Sequence, residues 1–163
     1  MLGPRDLMAF VATANPARAK SFYADTLGLR FVSEDPFAVV FDAGGTMLRV
    51  AVVQELRPAA YTVLGWIVPD IAGAARALAG KGVTFRRFEG MSQDDQGIWS
   101  SPNGARIAWF ADPDGNTLSL TEFGGGRNKA AKRSGSKSAK PRKPPTARAG
   151  KTARAGKKKK SRR

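Results

Sequence analysis

The stretch Trp109-Phe110-Ala111-Asp112-Pro113-Asp114-Gly115-Asn116-Thr117-Leu118 reads as two strands joined by a tight turn. Pro and Gly interrupt regular structure, and Asp and Asn side chains bond their own backbone in turns. The flanking runs, 105–111 and 117–123, are rich in apolar and β-branched residues and predict strands. Upstream, Pro102-Asn103-Gly104 makes a second turn, joining 105–111 to a strand at 98–101. Gln93-Asp94-Asp95-Gln96-Gly97 is a polar loop, and 83–88 predicts a further strand. Before these, Pro69-Asp70 opens a helix whose apolar side is Ile71, Ala74, Ala75, Leu78 and Ala79, with Gly80 and Gly82 as its stop. An apolar strand at 61–68 precedes it.

The same order appears once more toward the N-terminus. An apolar strand at 7–14 leads to Asn15-Pro16, a helix-starting pair in which Asn caps and Pro takes the first helical position. Ala19, Phe22, Tyr23, Thr26 and Leu27 recur at helical spacing up to Gly28. Strands follow at 29–34, 37–42 and 47–53, separated by Asp35-Pro36 and Ala43-Gly44-Gly45. Asn15 overlays Asp70 at an offset of 55, and Gly28-Leu29-Arg30-Phe31 overlays Gly82-Val83-Thr84-Phe85 at 54. The expected fold class is therefore α+β, two βαβββ modules forming a cupped mixed sheet, because each small sheet with one helix needs cover for its other face.

Charge divides the chain sharply. Its 13 acidic residues all lie in 1–123, whereas 17 of its 28 Lys and Arg lie in 124–163. The net charge of +15 thus belongs to the tail, and the expected organisation is a folded domain over 1–123 with a disordered tail over 124–163. The chain has no Cys and no His. That excludes a disulfide, a thiolate nucleophile, a Ser-His-Asp triad and a histidine-ligated metal. Acid–base chemistry would fall to Asp, Glu, Tyr, Lys or Arg-polarised water. No leader segment or membrane span is apparent, so the expected location is cytoplasmic.

Asn15-Pro16 with Ser21-Phe22-Tyr23 and Leu27-Gly28-Leu29, then Val68-Pro69-Asp70, then Trp109 through Asn116, resemble the signature of the vicinal oxygen chelate superfamily. That superfamily includes glyoxalase I, extradiol dioxygenases and bleomycin-resistance proteins. The resemblance covers nearly all of 5–123 and implies paired modules around a cleft, a homodimer, and a divalent metal held by His, Gln or Glu. The places matching those ligands hold Met8, Val63 and Ser119, with the fourth near Leu48. None offers an imidazole or an anionic oxygen, so no metal and no cofactor is expected.

Strand alternation then points Met8, Phe10, Ala12, Val63, Gly65, Ile67, Thr117, Ser119 and Thr121 at the cleft. Such an apolar bowl with a few hydroxyls suits a small organic ligand that is mostly hydrophobic or aromatic. Met8, Phe10, Val63, Trp99 and Ser119 are the expected ligand contacts, with Trp99 stacking on the ligand. Trp66 and Trp109 are assigned to the core. Arg49, inside an apolar strand, either pairs with a ligand carboxylate or snorkels out on the opposite face. Asp112 and Asp114 are read as turn formers, and Asp94 and Asp95 as a solvated loop tip.

The tail has no aromatic and no acidic residue. Its composition cannot bury enough surface to order itself. Lys157, Lys158, Lys159, Lys160, Arg162 and Arg163 are the expected contacts to DNA or RNA, nonspecific and salt-dependent. An anionic membrane surface would lack an acyl or amphipathic anchor on this chain. The first functional expectation is a metal-independent binding protein with a polyanion-binding tail. A metal-free lyase or isomerase, using a carboxylate or Tyr61, and a nucleic-acid-tethered structural protein are the alternatives.

Overall fold

The computed structural model describes residue 3 and residues 5–124. The tail contacts named above lie outside the described residues. Module 1 runs β1 (Met8–Thr13), α1 (Pro16–Ser21) with a π-helical continuation (Phe22–Thr26), β2 (Arg30–Asp35), β3 (Ala38–Ala43) and β4 (Thr46–Val52). Module 2 runs β5 (Thr62–Ile67), α2 (Ile71–Ala79), β6 (Ile98–Ser100), β7 (Arg106–Ala111) and β8 (Thr117–Glu122).

Each module forms one four-stranded sheet with the same topology. The orders are β1-β4-β3-β2 and β5-β8-β7-β6. In both, the first and last strands pair in parallel and the other pairings are antiparallel. The repeat seen in the sequence is thus a repeat of architecture.

The two helices start by the same device. The Asn15 side chain accepts from the Arg18 amide at 3.0 Å, and that of Asp70 from the Gly73 amide at 3.0 Å. Each cap satisfies an amide that has no intrahelical acceptor. Glu122, at the end of β8, adds a second acceptor for α2 by taking the Ile71 amide at 2.8 Å.

One expected strand is nearly absent. Residues 83–88 contribute a single bridge, Phe85 to Phe110, plus a hydrogen bond from the Arg86 amide to the Trp109 carbonyl at 2.7 Å. The reason is competition for one edge. β6 already pairs with residues 106–108 of β7, leaving only its C-terminal half for the 83–88 segment.

A single apolar core joins the modules. Val11, Tyr23, Val39, Phe41, Leu48 and Val50 from module 1 belong to one cluster with Ile71, Ala75, Ile98, Phe110, Leu118 and Leu120 from module 2. Full burial of such side chains stabilises the fold by about 1.5–3 kcal/mol each. The helices sit on this side of both sheets, and Lys81 links them by donating to the Asp25 and Thr26 carbonyls at 2.8 and 2.9 Å. β1 and β5 adjoin at the junction.

The turn quoted at the outset closes that junction. Asp112 is buried and accepts from the Tyr23 hydroxyl (2.9 Å), the Asn116 side-chain amide (2.7 Å) and the Asp114 and Asn116 backbone amides (3.0 and 2.9 Å). Asp114 accepts from Thr13 Oγ1 at 2.6 Å and the Ala14 amide at 3.1 Å. Asn116 also donates to the Ala12 carbonyl at 2.8 Å. The two aspartates are therefore turn formers and, beyond that expectation, a polar clasp between modules. Burial raises the Tyr23 pKa far above its ordinary value, and the Asp112 charge and hydrogen bond push the same way.

Candidate functional site

With the helices on one side, both sheets turn a helix-free face to the other. In sheet B the register assigns this face. Leu64, Trp66, Ala108, Phe110, Leu118 and Leu120 point into the core. The alternating positions Gly65, Ile67, Ile107, Trp109, Thr117, Ser119 and Thr121, with Trp99 opposite Ile107, therefore point away from it.

Trp109 dominates this face. Its indole reaches diagonally across β8, and Nε1 donates to Thr62 Oγ1 at 3.1 Å. Phe88 meets it edge-on at 5.4 Å between centroids, and Trp99 lies tilted at 6.2 Å. Trp66 sits on the core side as expected, stacked on Phe110. Trp109 does not. Its phase follows Ser119, its direct register partner, so the core assignment is corrected.

Ser119 lies between Trp109 and Gly65 and is only 6% exposed. Its hydroxyl makes no hydrogen bond among the described residues, and that oxygen keeps access to solvent. Gly65 makes room for that hydroxyl, since a Cβ there would fall 2.6 Å from Ser119 Oγ.

Arg86 completes the face. Its Nη1 donates to Thr117 Oγ1 at 2.7 Å and its Nη2 to the Gly115 carbonyl at 3.1 Å. Sequence reasoning missed Arg86, Phe88 and Thr62. The first two lie in a segment read as a regular strand, and a bulge near Val63 moves Thr62 opposite Thr117. That bulge leaves Val63, an expected ligand contact, partly buried against the core.

On sheet A the helix-free face carries Met8, Phe10, Met47 and Arg49. The three apolar members are exposed, Phe10 to 59%. Arg49 stands opposite Phe10, on the same face rather than the reverse one, with Asp35 at 4.0 Å. Leu48 is fully buried in the core, so the position matching the first module's metal ligand does not face this side. Tyr61 is exposed.

Among the described residues, no three of His, Cys, Asp and Glu come together to hold a metal ion. The donor set at the four matching positions, two hydrocarbons, a thioether and a neutral hydroxyl, does not suit a divalent cation. No helix among the described residues is long and apolar enough to cross a membrane.

The duplicated topology, the shared helix layer and a helix-free face lined with side chains define a paired βαβββ domain. The model of the Glyoxalase/Bleomycin resistance protein/Dioxygenase superfamily matches residues 7–120, and the chain belongs to that superfamily. A superfamily member from Sphaerobacter thermophilus is 28% identical, with a TM-score of 0.60 over 75% of this chain and 99% of that one. A lactoylglutathione lyase from Agrobacterium tumefaciens shares 18% identity and a TM-score of 0.59, covering 75% and 96%. A glyoxalase/bleomycin resistance protein/dioxygenase from Nocardioides shares 19% and 0.58, covering 77% and 88%. At the last two identities the likeness is one of fold. No protein of curated function matches the sequence.

Proposed function

We propose that the domain is a metal-independent receptor for a small organic molecule with an aromatic or largely apolar body, held on the helix-free face of sheet B. The observation that carries this reading is Ser119. Ser119 is only 6% exposed, its hydroxyl keeps access to solvent with no partner among the described residues, and it sits in register with Trp109 and beside a glycine, which suits a hydrogen bond supplied by a ligand. Trp99, Trp109 and Phe88 supply the stacking surface. Binding is favoured over turnover because no strand position on this face of sheet B carries a carboxylate to act as a base.

The exposed apolar row Met8, Phe10, Met47 and Ile67 gains cover when two copies associate, so the working form is a homodimer. The cationic tail holds the protein on DNA or RNA without sequence preference, a reading that rests on its composition. Chelator-dialysed protein should show a saturable rise in Tm with planar aromatic compounds. Binding that appears only after a divalent ion is restored in stoichiometric amount would overturn the metal-independent reading.

A further inference from the structure

The reading above leaves the ligand's charge open, and Arg86 decides it. A guanidinium carries five N–H donors and is charged at any ordinary pH. Here both of its partners, Thr117 Oγ1 and the Gly115 carbonyl, are neutral oxygens. No carboxylate lies within ion-pairing distance of Arg86 among the described residues.

Glu89, three residues along the chain, forms no ion pair with Arg86, and the two aspartates of the adjoining turn are committed elsewhere. Asp112 takes Tyr23 and Asn116, and Asp114 takes Thr13 and Ala14. Arg87, next along the chain, turns to the Gln93 and Asp95 carbonyls instead. Arg86 is thus half-buried, fixed in place by neutral anchors, and not neutralised by the protein. A partly desolvated charge without a counter-charge is costly unless a ligand supplies one.

Its location shows which ligand would do so. The Arg86 backbone bonds Trp109, and its guanidinium reaches Thr117, two positions along β8 from Ser119. Fork and aromatic wall therefore share one face of one sheet. We propose that this face selects a planar aromatic acid, with its carboxylate on the Arg86 fork and its ring against Trp109 and Trp99. The planar fork matches a carboxylate in two-point fashion, which an ammonium cannot do. This proposal rests on the sheet-B site being a ligand site.

The test compares 2-naphthoate with 2-naphthamide on the full chain at moderate salt, by quenching of tryptophan fluorescence and by calorimetry. The same pair is then measured on Arg86→Gln and Arg86→Lys. The parent protein should bind the acid at least about tenfold more tightly than the amide. Arg86→Gln should lose that preference, and Arg86→Lys should keep only part of it. The tail is identical in all three proteins, so a difference among them arises on the face. Equal binding of acid and amide by the parent, or a preference that survives in a folded Arg86→Gln, overturns the anionic assignment alone. Failure of both compounds to bind overturns it together with the sheet-B receptor reading.

Discussion

Replacing Asp112 by alanine should destabilise the domain more than any single change on its surface. The carboxylate accepts four hydrogen bonds, two from side chains and two from backbone amides, and one of the side chains lies 89 residues away. Hydrogen bonds to a charged group contribute about 1.5–3 kcal/mol each. The full sum is not reached, because Asn116 keeps its bond to the Ala12 carbonyl and water can reach the part-buried Asp114 amide. The expected loss is roughly 3–5 kcal/mol, a large share of the 5–15 kcal/mol typical of a domain. Urea unfolding followed by tryptophan fluorescence measures it. Tyr23→Phe alone should cost about 1–2 kcal/mol, and the double mutant should fall short of additivity by about 1 kcal/mol, since both changes remove one shared bond. A loss for Asp112→Ala within about 0.5 kcal/mol of the parent, the range of an ordinary surface change, would refute the clasp.

Alkaline pH probes the same bond. The Tyr23 pKa is raised in the fold, so the stability tied to its neutral hydroxyl is complete below its unfolded value of 10.0 and is lost as pH climbs above that. The slope contributed should approach about 1.4 kcal/mol per pH unit and be missing in Tyr23→Phe, as chemical unfolding between pH 9 and 11 would show. Gly65→Ala should swing the Ser119 hydroxyl aside and weaken binding of an aromatic probe several-fold with little change in Tm, read by calorimetry and thermal shift. Deleting 124–163 should abolish retention on a DNA column at moderate salt and leave Tm nearly unchanged; persistent retention would place the polyanion site on the folded surface.

Local chemistry made most of the fold legible. Caps at Asn15 and Asp70, stops at Gly28 and Gly82, and the Asp-Pro-Asp-Gly turn announce element ends through interactions a few residues long. The site was legible only in part, because it depends on which residues share an edge. Trp109 faces away from the core through its register with Ser119, which spacing within one strand cannot supply. Arg86 and Phe88 came free only because β6 took the other half of the β7 edge. Leu48 fell on the core side through its pairing with Ala9, one residue out of phase with the face expected for it. The Tyr23–Asp112 bond joins two residues each legible as part of a local motif, but their meeting is a property of the packed pair of modules.

In both sheets the strand made last sits in the interior, flanked by strands made earlier. During synthesis from the N-terminus, β5 and β7 stay unjoined until β8 has emerged to pair with both, so the second module cannot assemble stepwise from its edge. A message truncated between Ala111 and Thr117 would yield a product with a vacant slot in the middle of its second sheet and Ile71, Phe110 and Leu64 bared beside it. Such a fragment should be cleaved readily in limited proteolysis where the full domain resists.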